Sequence, residues 1–135
     1  MIKIPIVVLA SGRGSNFRAI HHAIQEKKLP AEICSVISDQ PDAPVLDMAR
    51  DFGYSTRAVP FPQGKGPIAD RRLEHDSILL KELEVLRPRF LVLAGYRRIL
   101  TPSLIHAFRV SSSSFGRGVE LPGGILSTPT CAEAW

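Results

Sequence analysis

Ser11-Gly12-Arg13-Gly14-Ser15-Asn16 is the stretch that most constrains this chain. It follows the apolar run Ile4-Pro5-Ile6-Val7-Val8-Leu9-Ala10 and opens a segment whose apolar residues have helical spacing. A buried strand, a glycine-rich turn and a helix start, in that order, gather backbone N–H groups at the positive end of a helix, which holds a phosphate. Two common variants are excluded by the spacing. A dinucleotide loop wants Gly-x-Gly-x-x-Gly, and its third glycine position is occupied here by the bulky Phe17. No lysine follows Gly14, so the loop is not a P-loop. These residues suit a compact site for a single phosphate, built from the N–H groups of Gly14, Ser15 and Asn16. The Ser15 hydroxyl and the Asn16 amide are extra donors, and a tight strand-to-helix turn with no ligand is the alternative.

Beyond this turn, strand and helix patterns alternate. Ile2 to Ala10 is expected as the first strand, and residues 16 to 28 as a helix with Phe17, Ile20 and Ile24 on one face and Ser15 or Asn16 as its cap. Ile33 to Ile37 predicts a second strand. A helix follows from Asp42-Ala43-Pro44 with Val45, Ala49 and Phe52 on one stripe, and Gly53 suits its end. Tyr54 to Val59 is a short third strand, and a Pro/Gly-rich loop runs from Pro60 to Pro67. A long helix from Ala69 to Leu86 turns Leu79, Leu83 and Leu86 inward, and the near-continuous apolar run Phe90 to Ala94 is a fourth strand covered on both faces. Pro102 to Phe108 predicts one more helix, capped by Thr101. Such alternation implies an α/β fold, a Rossmann-like parallel sheet with helices on both faces. Ligands in such sheets bind beyond the C-terminal strand ends. Two of those ends carry distinctive residues, Ser11 to Asn16 and Gly95 to Leu100.

With 135 residues and 44% hydrophobic content, the chain can build one core. The net charge of +4 comes from scattered basic pairs, Lys27-Lys28, Arg71-Arg72 and Arg97-Arg98, which do not make a nucleic-acid stripe. The N-terminal apolar run is too short to span a membrane, and a cytoplasmic protein is expected. Cys34, in an apolar run, is expected to pack as a small reduced core residue, and Cys131 lies far from it. No cysteine or histidine spacing suits a metal.

Three further groups of residues have both plain and chemical readings. Ala94-Gly95-Tyr96-Arg97-Arg98-Ile99-Leu100 has the mix of turn, guanidinium groups and branched side chains that lines a pocket for a flat heterocycle. It is equally an ordinary loop with solvated arginines. Arg71-Arg72-Leu73-Glu74-His75-Asp76 is expected to be a solvated helix face, with Glu74 and Asp76 complementing the helix dipole. His21, His22 and His106 are expected as helix-surface or half-buried residues.

Residues 1 to about 108 resemble phosphoribosylglycinamide formyltransferase, a folate-dependent transformylase family of purine synthesis. The resemblance is carried by Val7-Val8-Leu9-Ala10-Ser11-Gly12-Arg13-Gly14-Ser15-Asn16-Phe17, by Val36-Ile37-Ser38-Asp39 with Ala43, and by Leu93-Ala94-Gly95-Tyr96-Arg97-Arg98-Ile99-Leu100-Thr101-Pro102. It implies the formyltransferase fold and formyl transfer from 10-formyltetrahydrofolate, as cosubstrate, to the amine of phosphoribosylglycinamide. It also implies a small-molecule substrate rather than nucleic acid or membrane as partner, and leaves the oligomeric state open. Substrate phosphate is then expected on Gly14, Ser15 and Asn16, and the folate against Arg97, Arg98, Ile99 and Leu100. Arg72 aligns with a family arginine on the folate side.

The resemblance breaks after residue 108. The family's catalytic Asn and His, in an Asn-Ile-His-Pro motif on the next strand, and its later Asp have no match. Asn16 is the only asparagine, no histidine follows His106 and no aspartate follows Asp76. Ser111-Ser112-Ser113-Ser114, Gly116-Arg117-Gly118 and Pro122-Gly123-Gly124 have the texture of turns, with no sustained period. Residues 109 to 135 are therefore expected as an irregular tail, out of frame or diverged, and the fold as truncated after the fourth strand. With strand order 3-2-1-4-5, Phe90 to Ala94 would become an exposed edge prone to association. Val119-Glu120-Leu121 or Gly124-Ile125-Leu126 would fill the fifth position as a short strand. Such a chain is expected to transfer formyl groups little. Formyltetrahydrofolate deformylase, which needs no ribonucleotide phosphate site, and a non-enzymatic phosphate- or nucleotide-binding module are the alternatives.

Overall fold

The computed structural model describes residues 3–113 and 124–127, with side chains placed over 3–108. Cys131 and the Val119-Glu120-Leu121 segment lie outside the described residues. The elements in chain order are β1 (Ile4–Leu9), α1 (Ser15–Gln25), β2 (Ala31–Ser38), α2 (Pro44–Asp51), β3 (Thr56–Ala58), α3 (Ile68–Leu86), β4 (Phe90–Leu93), α4 (Pro102–Ser113) and β5 (Gly124–Ser127). They form a parallel sheet in the order β3-β2-β1-β4-β5.

Alternation along β1 explains why both faces are covered. Val7 and Leu9 pack with Leu79, Leu83, Leu104 and Phe108 of α3 and α4. Ile6, Val8 and Ala10 pack with Phe17, Val45, Leu46 and Ala49 of α1 and α2. In β4, Leu91 and Leu93 join the first core while Phe90, Val92 and Ala94 join the second. A run apolar at every position is what a strand between two helical layers requires. In β2 the register shifts between the partners of Ile6 and Val7, which pair with Ile33 and Ser35. The extra residue, Cys34, is a bulge that keeps Ile33 and Val36 on the same face. Cys34 is free and half-buried rather than fully buried. Burial raises its thiol pKa, the nearby Glu32 carboxylate adds to this, and a hydrogen bond with the Ile6 backbone opposes both.

Three expectations are corrected. The cap of α1 is Gly14, in a left-handed conformation (φ 86°), without a side-chain cap, so neither Ser15 nor Asn16 fills that place. A methyl group on Gly14 would stand 2.6 Å from Cγ2 of Val45, so glycine is needed for both shape and space. The last helix, expected to stop at Phe108, runs through Ser113. The sheet also continues one strand past β4. Phe90, Leu91, Val92 and Leu93 pair with Gly124, Ile125, Leu126 and Ser127, so β5 covers the edge expected to be open. It arises at the second of the two segments the sequence offered. Thr101 caps α4 as expected, its Oγ1 accepting the Leu104 N–H at 3.3 Å. Among the described residues no helix is long and apolar enough to cross a membrane.

Candidate functional site

The C-terminal ends of β1 and β4 lie side by side, because these strands pair directly, Leu9 with Leu93. Their following loops meet. The Ser11 N–H donates to the Gly95 carbonyl at 3.2 Å. Gly95 is left-handed (φ 75°), and a Cβ there would stand 3.9 Å from the Asn16 Nδ2. A Cβ on Gly12 would stand 3.9 Å from Nη2 of Arg97. The structure thus brings the glycine loop and the start of the 95–101 segment together at one crevice. Gly14 is buried, Asn16 is half-buried and Ser15 is exposed.

Beneath the crevice is a polar network centred on Asp39, at the end of β2. Ser11 Oγ donates to Asp39 Oδ1 at 2.6 Å and accepts the Arg97 N–H at 2.8 Å. Arg98 Nε donates to Asp39 Oδ2 at 2.8 Å, and Gln40 Nε2 to the same oxygen at 3.3 Å. The Asp39 side chain is only 1% exposed, so its charge is paired inside the fold rather than solvated. The Arg98 guanidinium also lies over the Phe61 ring, 4.4 Å from its centroid. Sequence patterning gave Arg98 a candidate role and left Ser11 and Asp39 as motif residues without one, although they hold Arg98 and its neighbour in place. Ile99 is exposed and Leu100 is buried in the core shared with α3 and α4.

The far end of the segment is held from α3. Asp76 Oδ2 accepts the Thr101 N–H at 2.6 Å. Neighbouring His75 makes a 2.7 Å contact from Nε2 to the Val59 carbonyl, which can only accept, so Nε2 carries a proton. His75 and Asp76 are 1% and 4% exposed, against the expectation that residues 71–76 form a solvated face. The signal was present in the spacing. Asp76 stands three and seven residues before Leu79 and Leu83, on the inward stripe of the same helix. Among the described residues Asp76 Oδ1 is buried with no hydrogen-bond partner, 3.8 Å from His75 Nδ1. The buried Tyr96 feels both carboxylates. Burial raises its phenol pKa most, Asp39 and Asp76 raise it further, and Arg98 opposes them, so the phenol stays protonated.

Arg72 is half-buried on α3, and among the described residues no hydrogen bond or ion pair joins it to residues 97–100. His21 lies away from the crevice. It is stacked on Phe52 (3.9 Å between centroids, 5° between planes), with Nδ1 2.7 Å from the Tyr54 hydroxyl. His22 and His106 stand on the outer parts of their helices. Among the described residues no group of three or more His, Cys, Asp or Glu side chains could hold a metal ion.

Comparison with known proteins agrees with this architecture. A family model for "Formyl transferase" matches residues 4–112. The chain is 36% identical over 100 residues to phosphoribosylglycinamide formyltransferase of Escherichia coli, covering 74% of this chain and 45% of that protein. It is 31% identical to the human trifunctional purine biosynthetic protein adenosine-3, covering 82% of this chain and 12% of that protein. Among solved structures, phosphoribosylglycinamide formyltransferase from Brucella melitensis superposes with a TM-score of 0.70 at 32% identity, covering 78% of this chain and 53% of that one. A formyltetrahydrofolate deformylase from Burkholderia mallei, at 16% identity and a TM-score of 0.68, shares the fold. The chain spans about half the length of the bacterial formyltransferases it matches. It belongs to the formyl transferase family and corresponds to the N-terminal part of its phosphoribosylglycinamide formyltransferases.

Proposed function

We propose that this chain is the ligand-holding part of a phosphoribosylglycinamide-type formyl transferase. It takes the substrate phosphate on Gly14, Ser15 and Asn16 and 10-formyltetrahydrofolate along residues 97–100. The observation that carries this is the meeting of two loops, with the Asn16 amide against Gly95 and the Arg97 guanidinium against Gly12. That approach supports a phosphate site and a folate-facing segment sharing one crevice, as transfer between two ligands demands.

The residues fit a folate on one side. Ile99 offers an exposed branched side chain at 46% exposure, while Leu100 anchors the same turn in the core. Arg72, half-buried on α3, is the further cation on that side. Bound 10-formyltetrahydrofolate supplies the formyl carbon that the glycinamide amine attacks. This chain's own part is to bind and orient the two molecules. The N–H groups of Ser15 and Asn16, at the start of α1, have no acceptor among the described residues and are free for a phosphate.

The groups that would stabilise the developing oxyanion and move the proton have no match in the sequence, in which Asn16 is the only asparagine and stands on the phosphate side. Loss of one oxyanion donor costs about 10²–10³ in rate. Binding without efficient transfer is therefore the expected behaviour, in the cytoplasmic setting of a small-molecule enzyme.

Calorimetric titration with phosphoribosylglycinamide, 10-formyltetrahydrofolate and NAD, with an assay for formylated product, tests this. The ribonucleotide and the formyl-folate should bind, NAD should not, and product should form at least about 10²-fold more slowly than with an intact relative. Binding of NAD alone would replace this proposal with a nucleotide-binding module. Formate release independent of the ribonucleotide would replace it with a deformylase.

A further inference from the structure

We infer that the two arginines at positions 97 and 98 are divided between two tasks, and that Arg97 serves the phosphate side of the crevice, as a specificity-determining cation for the anionic end of the substrate. This rests on the proposed phosphate site and refines the proposed folate segment, to which residue 97 gives its main chain while its side chain turns to the phosphate. The sequence pattern treats Arg97 and Arg98 alike, as two cations on one turn.

Asp39 separates them. The Arg98 guanidinium is bound to Asp39 Oδ2 at 2.8 Å and lies over Phe61, so it is fixed towards β2 and the 60–67 loop. Arg97 has only its main chain in that network, through its N–H to Ser11 Oγ at 2.8 Å. This bond ties the Arg97 backbone to the residue immediately before Gly12. Its side chain is exposed, with Nη2 3.9 Å from the Cβ position of Gly12. Among the described residues no carboxylate pairs with this guanidinium. The guanidinium therefore lies beside the backbone of the glycine loop, where even a Cβ at position 12 would meet it only at ordinary van der Waals distance.

An unpaired guanidinium lying against the loop that presents the free N–H groups of Ser15 and Asn16 favours a dianion with oxygens to share. A planar fork on one side and backbone donors on the other would grip a phosphate monoester. A neutral or monoanionic analogue would gain less from Arg97. The cation thus selects the phosphorylated substrate over its nucleoside.

The test is calorimetry on the full chain with phosphoribosylglycinamide, its dephosphorylated riboside, inorganic phosphate and 10-formyltetrahydrofolate. Arg97→Ala should weaken the ribonucleotide and inorganic phosphate about tenfold or more, and leave the riboside and the formyl-folate within about twofold. Arg97→Lys, which keeps the charge but loses the fork, should fall between. Lys81→Ala, on the exposed part of α3, removes one charge elsewhere and should change neither ligand. Unchanged ribonucleotide affinity in Arg97→Ala, or a loss confined to the formyl-folate, would overturn the division of tasks alone. Failure of the unsubstituted chain to bind either phosphate compound would overturn this inference and the phosphate site together.

Discussion

Asp76, in the middle of α3, accepts the Thr101 backbone N–H at 2.6 Å, while Asp39 at the end of β2 holds the other end of the same turn through Ser11 and Arg98. Residues 97–100 are therefore suspended between two buried carboxylates on different elements. A segment fixed at both ends can present a surface to a ligand without an ordering cost at binding.

Asp76→Ala removes the acceptor at Thr101 and should cost about 1–3 kcal/mol of stability. Asp76→Asn retains an acceptor oxygen and should cost less. Urea denaturation of the three proteins checks the ranking, and equal stability of all three would show that the bond to Thr101 contributes nothing.

Gly14→Ala combines a left-handed φ of 86° with a Cβ 2.6 Å from Val45. Strain of about 1–2 kcal/mol from the backbone adds to about 1–3 kcal/mol from overpacking. In a Val45→Ala background the glycine substitution should become milder, because the clash is relieved and the backbone strain remains. A double-mutant cycle by denaturation measures this coupling, and strict additivity would contradict it.

Much of this architecture was legible in the sequence, and the failures have physical causes. The parallel sheet covered on both faces followed from alternating strand and helix patterns with near-continuous apolar runs, since a strand covered on both faces cannot be polar at every second position. Gly14 marked the crevice because the tight turn into α1 needs its left-handed conformation. His75 and Asp76 were hidden by their charge. A run of charged residues reads as solvated until the Leu79 and Leu83 stripe is extended back to Asp76. Ser11 and Asp39 stand 28 residues apart, and only the pairing of β1 with β2 joins them. The strand at 124–127 was offered as one of two short segments, since four residues among turn chemistry carry no period of their own.

His21 provides a pH-dependent signature. Burial lowers its pKa below 6.5, and the neighbouring His22 lowers it further. The unfolded chain then binds more protons than the folded one between that lowered value and 6.5. Stability should rise with pH across this window, be fully present above it and be lost as pH falls. Urea midpoints followed from about pH 5 to about pH 8 should show this rise, and His21→Gln should flatten it. An NMR titration midpoint for His21 at or above 6.5 would count against the account.

Pairing of β4 with β5 predicts how the sheet edge behaves. Ile125→Pro combined with Leu126→Pro would remove a ladder donor, because successive N–H groups of the edge strand alternate between β4 and the open side. Amide exchange of Phe90 to Leu93 should accelerate, and light scattering should report self-association of the variant. Identical exchange and an unchanged scattering mass would mean that β5 does not protect this edge.

The central claim, that one crevice between the β1 and β4 loops receives the ribonucleotide phosphate, is tested most directly by an amide NMR spectrum titrated with phosphoribosylglycinamide. The largest shifts should fall on Gly12, Gly14, Ser15, Asn16 and Arg97, saturating together. Shifts centred on other residues, or none at ligand concentrations in the millimolar range, on the order of 1 mM, would contradict it.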